Sequence, residues 1–219
     1  MPSTFTHFMI FAPQEALARA LLPHATEAKD DGSHDVAHLL RVWKNASAIQ
    51  RAEGGDPSIL LAATLLHDCV SVEKNSPLRA EASRLAAEKA AGVLHGLGWD
   101  AGRIAAVGHA IAAHSFSAGI EPVTIEAKTL QDADRLDAIG MVGVARCFYI
   151  AGRMGSALYD ADDPRAAGRP YDDKRFAIDH FHTKLLKLSA GFRTAAGARM
   201  AHERHARLER FLAEFSDEI

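Results

Sequence analysis

The chain consists of apolar stretches that recur with the period of a helix and are separated by short polar connections. The most apolar stretch, Ile59–Leu66, follows Asp56-Pro57. This pair is typical of a helix start, because Asp accepts hydrogen bonds from free N–H groups and Pro fits the first helical position. No segment shows the alternation expected of a strand. The helical period predicts further helices at Gln14–Leu22, His34 to about Ala52, Leu78–Leu97, Asp100–Ala113, Glu126 to about Tyr149, Phe176–Leu188 and Thr194–Glu214.

These helices predict a single all-α domain, a multi-helix bundle whose last two helices pack as a hairpin. The long helix from Glu126 is expected to bend at Gly140 and Gly143. Two connections, residues 70–77 and 160–173, are rich in charged residues and proline. Loops of this kind on a helical scaffold often carry binding groups. Both loops are therefore candidate parts of a functional site.

The composition narrows the classes of protein to consider. Of the 219 residues, 48% are hydrophobic and 24% charged, which fits a globular protein, and the net charge of −3 gives no general basic surface for nucleic acid. Two Cys give no disulfide framework, so a reducing cytoplasm is expected. The apolar patch Phe8–Phe11 lacks a basic leader and is too short to span a bilayer. We expect a cytoplasmic monomer or homodimer without a membrane or a nucleic-acid polymer as partner.

Ionisable side chains inside apolar helices are the unusual feature of the sequence. His67-Asp68 ends the most apolar helix, and a buried Asp is costly unless a partner or a metal compensates its charge. His38 lies in the preceding helix, and residues 132–137 place three Asp in a later one. Taken singly, these are a core His bonded to its neighbour and a solvated acidic face. Together, they form a mixed imidazole and carboxylate set that suits a divalent ion between facing helices.

Three motifs in this order resemble the H…HD…D signature of the HD-domain metal-dependent phosphohydrolases. They are His38-Leu39-Leu40-Arg41-Val42, Leu65-Leu66-His67-Asp68 and Asp132-Ala133-Asp134-Arg135-Leu136-Asp137. The segment Asp179–Leu186 and short flanking motifs are similar to one bacterial branch of that superfamily and extend the resemblance over nearly the whole chain. The resemblance implies one domain over residues 1–219, with an HD-domain core at about 20–150 and C-terminal helices at about 174–216 packed on it.

The resemblance also implies a divalent-metal site between helices, with one ion as cofactor. Mn or Mg is favoured over Co, Ni or Fe. In the family, the last ligand is the Asp directly before a basic residue, which here is Asp134, and Asp132 is the alternative. Glu88 and Asp137 are candidates for orienting the ligating imidazoles. The complete implied ligand set is His38, His67, Asp68 and Asp134.

The implied catalytic group comprises Asp68, Arg135 and Glu73. Arg135 matches a basic position that faces the substrate phosphates in triphosphohydrolase relatives. Some nucleotidase relatives carry a water-activating Glu four residues after the motif His. In this chain Ser71 stands at that position and Glu73 lies two residues further on. The identity of the general base therefore stays open.

Substrate-binding candidates are the cations and imidazoles near these motifs. Arg binds phosphate through two parallel bonds and Lys acts as a point charge. His34 precedes His38 by one helical turn, and Arg146 follows Arg135 by eleven residues, which is three turns of the predicted long helix. An ordinary surface cation is the alternative for any one of them. The candidates are His34, Lys74, Arg79, His114 and Arg146.

The implied function is hydrolysis of a phosphomonoester or nucleotide by a metal-activated water, so the expected partner is a small phosphorylated substrate such as a nucleotide. The alternative is a regulatory HD domain that binds a metal or a nucleotide with little or no turnover. A purely structural metal site is disfavoured, because such sites are usually rich in Cys. A second ion would need His95, His109 or His114, and the chain has no adjacent His pair.

Overall fold

The computed structural model describes residues 9–25, 36–70, 72, 81–115 and 118–219. These residues form helices and contain no β-strand, which confirms the predicted all-α fold class. No helix among them is both long and apolar enough to cross a bilayer. The helices are α1 Glu15–Leu21, α2 Val36–Glu53, α3 Pro57–Leu66, α4 Ala82–Gly96, α5 Ala101–His114, α6 Ile125–Asp137, α7 Gly140–Met154, α8 Asp179–Thr183 and α9 Ala195–Asp217, with short 3₁₀ segments at Met9–Phe11, Leu22–His24 and Leu185–Ser189.

The chain divides into two compact units, Met1–Asp134 and Arg135–Ile219. The organisation as one domain over residues 1–219 stays a prediction. In the first unit, α3 packs against α1, α2 and α5, and all of Leu60–Leu66 is buried. A helix that is apolar on every side belongs in a core. His67 and Asp68 therefore directly follow the end of a core helix.

Helix starts follow the local signals in the sequence. The Asp56 carboxylate accepts hydrogen bonds from the N–H groups of Ser58 at 2.7 Å and Ile59 at 3.2 Å. Asp100 caps α5 in the same way by accepting from Arg103 at 3.0 Å. These caps satisfy N–H groups that have no partner within the first turn of a helix, and they confirm the predicted starts of α3 and α5.

The predicted long helix from Glu126 to Tyr149 is wrong, because the chain forms two helices there. Helix α6 ends at Asp137, Ile139 is extended, and α7 begins at Gly140 with φ +74°. A side chain would be strained at that φ, and a Cβ on Gly143 would lie 2.3 Å from the carbonyl oxygen of Ala138. The two glycines therefore permit a complete break rather than a bend.

The predicted helix Phe176–Leu188 is also wrong. Only α8, Asp179–Thr183, is α-helical, and Lys184 leaves the helical region with φ −135° and ψ −60° before a 3₁₀ segment follows. Phe148 and Phe181 contact each other in this second unit, with ring centroids 5.9 Å apart, and both contact Phe211. The short α8 therefore packs as part of an aromatic core.

The 160–173 loop, predicted as a binding loop, is held by internal ion pairs of the second unit. The Arg169 guanidinium donates to both oxygens of buried Asp179, at 2.5 and 3.1 Å, and lies 3.2 Å from Asp160. The backbone N–H of Asp172 also donates to Asp179, at 2.7 Å. This loop thus has a defined conformation of its own. The other predicted loop, residues 70–77, lies almost entirely outside the described residues.

Candidate metal centre

Five imidazole and carboxylate side chains meet in the first unit where several helices end or begin. The imidazoles of His38, His67 and His114 are buried, with at most 8% of each exposed. The side chains of Asp68 and Asp134 are 28% and 33% exposed. His38 lies in the first turn of α2, His67 and Asp68 follow the end of α3, His114 ends α5, and Asp134 lies on α6. The imidazoles thus form the buried side of the cluster, and the carboxylates form the side that is accessible to water.

The distances within the cluster match those between ligands of one ion. The Nε2 atoms of His38 and His67 are 3.4 Å apart. Asp134 Oδ1 lies 3.5 and 3.9 Å from these two nitrogens, and Asp68 Oδ2 lies 3.8 and 3.5 Å from them. Two ligand nitrogens that are each about 2.1 Å from an ion are separated by about 3.0–3.4 Å for right-angled to tetrahedral geometry. His38, His67 and Asp134 can therefore face a single divalent ion, and Asp68 lies beside the same two imidazoles.

Backbone carbonyl groups orient two of the imidazoles. His67 Nδ1 lies 2.7 Å from the carbonyl oxygen of Thr64, and His114 Nδ1 lies 2.6 Å from that of Ile111. A carbonyl oxygen only accepts, so each Nδ1 carries the proton and each Nε2 presents its lone pair to the cluster. These carbonyls belong to last turns, where they have no partner within the helix. The bonds give the orientation that metal-ligating imidazoles usually have.

His114 lies in this cluster rather than on a separate substrate surface. Its Nε2 is 3.8 Å from Asp68 Oδ1, and its ring meets that of His67 edge-on with centroids 4.9 Å apart. Burial, aided by the adjacent His67, lowers the pKa of His114, although Asp68 and Asp134 oppose this shift. Two sets of potential metal-ligating atoms within 4.8 Å of one another result: His38, His67 and Asp134, and His67, Asp68 and His114.

From the sequence, His114 is predicted as a substrate-binding residue and is considered, with His95 and His109, only for a second ion. His109, five residues earlier on α5, has a different partner, because its Nε2 accepts from the N–H of Val123 at 3.1 Å. A usable signal was present nonetheless. Like His67, His114 stands directly at the end of an apolar helix, where its Nδ1 can bond a carbonyl three residues back.

Asp134 and Asp132 differ sharply in environment although they are two residues apart on α6. Asp134 directs Oδ1 at the two imidazoles, whereas Asp132 is only 1% exposed and belongs to neither set of potential ligating atoms. Positions two apart on a helix point to different sides. The geometry therefore favours Asp134 as the fourth ligand.

Asp134→Asn is expected to weaken metal binding at least about tenfold more than Asp132→Asn does. The first change removes a charged oxygen beside two imidazoles, and the second alters a buried group that belongs to neither set of potential ligating atoms. Metal titration of both variants, with circular dichroism as a check of folding, measures the difference. Stronger loss of metal in Asp132→Asn would exchange the two assignments.

Other predicted site residues are not among the five side chains of this cluster. Arg146 donates to buried Asp137 at 2.7 Å, and the break before α7 means that Arg135 and Arg146 do not share the face of one continuous helix. The Arg135 guanidinium lies over the Phe192 ring, 5.3 Å from its centroid. Glu88 is exposed, and carbonyl groups rather than Glu88 or Asp137 orient His67 and His114. The predicted site residues His34, Glu73, Lys74 and Arg79 lie outside the described residues.

The fold and the cluster define an all-helical protein with a candidate metal centre, and comparisons with known proteins identify its family. A model of the HD domain matches residues 36–139. Protein YpgQ of Bacillus subtilis is 34% identical over 195 residues, which cover 87% of this chain and 86% of the relative. The chain therefore belongs to the HD-domain family.

Solved structures agree with this assignment. An HD-superfamily hydrolase from Bacillus thuringiensis superposes with a TM-score of 0.72 at 31% identity, covering 94% of this chain and 97% of that one. A structure of Bacillus subtilis YpgQ in complex with ADP gives a TM-score of 0.70 at 28% identity, with 98% and 97% covered. The resemblance drawn from the three sequence motifs is thereby confirmed.

Proposed function

We propose that this protein is a metal-dependent phosphohydrolase that acts on a phosphomonoester or a nucleotide. The observation that carries the proposal is that one oxygen of Asp68 and one of Asp134 each lie 3.5–3.9 Å from the Nε2 atoms of His38 and His67, which are themselves 3.4 Å apart. The structure of Bacillus subtilis YpgQ in complex with ADP supports a nucleotide as substrate. Among HD-superfamily hydrolases, this chain would then break phosphate ester or anhydride bonds.

His38, His67, Asp68 and Asp134 are the residues that would hold the ion. Imidazole together with carboxylate suits borderline and hard divalent ions, of which Mn or Mg is favoured here. Once bound, a divalent ion supplies Lewis acidity towards a phosphate oxygen and lowers the pKa of a coordinated water. The buried imidazoles close one side of the cluster, so substrate and water reach it from the side of the partly exposed carboxylates.

Arg135 is the proposed phosphate-binding cation. It follows Asp134 directly in the chain, and the face of the Phe192 ring supports its guanidinium. A planar guanidinium stacked on a ring keeps its N–H donors pointing outward at the edges. Arg135 can therefore neutralise charge on phosphate oxygens, which is the main requirement of phosphoryl transfer beyond the metal.

Arg135→Ala is expected to keep its metal and to lose about 30- to 150-fold in kcat/KM, because a charge-assisted bond to phosphate contributes about 2–3 kcal/mol. Arg135→Lys should recover only part of the activity, since its point charge lacks the fork geometry. The measurement is steady-state kinetics with metal content determined on the same samples.

The matched control is Arg103→Ala, whose guanidinium also stacks on a ring, 3.9 Å from the centroid of Trp99, at the opposite end of α5 from His114. This variant should retain full activity. Unchanged kinetics in fully metallated Arg135→Ala would remove Arg135 from the site, and loss of metal would assign it a structural role.

The function itself is tested by phosphate release. Protein purified without added metal is first assayed for metal content. It is then offered a chromogenic phosphoester and a panel of nucleotides with Mn²⁺, Mg²⁺, Co²⁺ or Ni²⁺. Metal-dependent release supports the proposal. Binding of metal and nucleotide without release from any substrate would instead favour the regulatory HD domain considered from the sequence.

A further inference from the structure

Three side chains bond to backbone carbonyls that stand next to residues of the candidate metal centre. Each carbonyl belongs to a residue that adjoins Asp134, His114 or Asp68 in the chain. Each donor lies on a helix, and the carbonyl that it meets lies on another helix or, for Cys69, in the segment that follows α3. The pairs are Asn45 Nδ2 with the Ala133 oxygen at 3.0 Å, Gln131 Nε2 with the Ala113 oxygen at 2.8 Å and Lys89 Nζ with the Cys69 oxygen at 2.6 Å.

The hydrogen bonds of the Asn45 and Gln131 side-chain amides connect three helices of the site, α2 to α6 and α6 to α5. Asn45 lies on α2 two turns after His38, and it reaches α6 immediately before Asp134. Gln131 lies on α6, and it reaches α5 immediately before His114. Each bond therefore constrains the position of one helix along its axis relative to the next helix, and with it the position of the adjacent site residue.

Both amide groups are buried, so the loss of either hydrogen bond is costly. Asn45 and Gln131 are each 3% exposed. The Ala113 carbonyl lies in the last turn of α5, where no N–H group of that helix reaches it, so Gln131 satisfies an acceptor that the fold would otherwise leave buried. Separating a buried amide from its acceptor costs free energy, so each bond opposes relative movement of the two helices that it joins.

We propose that Asn45 and Gln131 are positioning residues of the metal centre, which hold α2, α6 and α5 in the register at which the ligand atoms lie within 3.4–3.9 Å of one another. The inference rests on the proposed function only in taking this cluster as a metal site. Neither side chain belongs to the sets of potential ligating atoms. Their effect acts through Asp134 and His114.

The test uses Asn45→Leu and Gln131→Met, which approximate the shape of the original side chains and remove the donor, with Co²⁺ alone as probe. Titration followed through the visible absorption of bound Co²⁺ gives the dissociation constant, and the band positions and intensities report the coordination geometry. Thermal unfolding of the metal-free proteins gives stability separately. The matched control is Trp43→Phe, which removes a similar bond, from Trp43 Nε1 to the Ile10 oxygen at 2.8 Å, that adjoins no site residue.

Both amide variants should bind Co²⁺ about tenfold or more weakly, as for lost supporting bonds at other metal sites, and with altered absorption bands. Trp43→Phe should lower the unfolding temperature but keep the dissociation constant and the bands. Should an amide variant fail to fold, Asn45→Ser and Gln131→Ser, which admit water, take its place. Unchanged Co²⁺ affinity and bands in folded variants would overturn the positioning role. Failure of the unaltered protein to bind Co²⁺ would overturn the metal centre itself and this inference with it.

Discussion

His67→Ala is expected to reduce the metal content from about one ion per chain to nearly none and to abolish phosphate release, while the helical content stays close to that of the unaltered protein. His67 Nε2 lies 3.4–3.9 Å from ligand atoms of His38, Asp68 and Asp134 and belongs to both sets of potential ligating atoms. Its removal therefore opens the buried side of the cluster. Elemental analysis and circular dichroism on the purified variant measure the two effects.

Asp68→Ala should give the same result, because the Asp68 oxygens face both His67 and His114. The control is His109→Ala on α5, whose imidazole bonds a loop N–H group away from the cluster and whose loss should leave metal content unchanged. Full metal occupancy in both His67→Ala and Asp68→Ala would end the single-site proposal.

Arg146→Met is expected to lower the free energy of unfolding by about 3–5 kcal/mol, because it leaves a buried carboxylate without its ion-pair partner. Asp137 is fully buried and accepts from Arg146 at 2.7 Å. Arg204, which donates to the Leu136 carbonyl oxygen, also lies close enough to interact with the Asp137 charge, so the lower end of the range is expected. Denaturant unfolding measures the change, with a constant slope showing that two-state behaviour is kept.

The control for this variant is Arg153→Met, which removes an exposed cation from the same helix and should alter stability by less than about 0.5 kcal/mol. The comparison also decides between two views of Arg146. Unchanged stability together with a loss of kcat/KM would support the substrate-binding role expected from the sequence. A loss of stability with normal kinetics in the folded fraction would make Arg146 a structural partner of Asp137.

The elements that could be predicted are those whose causes are local. Asp56, Asp100 and Thr194 each cap a helix by accepting from N–H groups two or three residues ahead, so their effect can be inferred from neighbouring sequence. The apolar run Leu60–Leu66 likewise requires burial on every side. Local hydrogen bonds and periodicity were therefore sufficient for the all-α fold and for most helix starts.

The break between α6 and α7 has a cause that is distant in sequence. Glycine inside a helical pattern is compatible with a straight helix, a bend or a break. The choice here accompanies contacts with Arg204, which packs over Gly140 and donates to the Leu136 carbonyl 68 positions before it. No feature of the sequence near Gly140 indicates this partner. The prediction that Arg135 and Arg146 share one helix face was wrong for the same reason.

The candidate site shows the same division. His38, His67, Asp68 and Asp134 were selected from motif order, and the structure places them together. His114 was predicted to bind substrate or a second ion. Its place beside Asp68 could not be predicted, because it depends on where the end of α5 meets the end of α3. That meeting is a property of tertiary packing, which spacing along one helix does not contain.

His67 and His114 accept two constraints at once, because each imidazole bonds a carbonyl of the last turn of α3 or α5 and also faces the cluster. Fraying of these helix ends is therefore coupled to binding at the cluster. Fraying of either turn separates Nδ1 of His67 or His114 from the carbonyl of Thr64 or Ile111, and with it the alignment of Nε2. Anything that binds those Nε2 atoms must therefore also oppose fraying, by as much free energy as the binding favours the ordered turn. Local unfolding at the two helix ends thus competes with occupancy of the centre, because the frayed conformations bind the same ion more weakly.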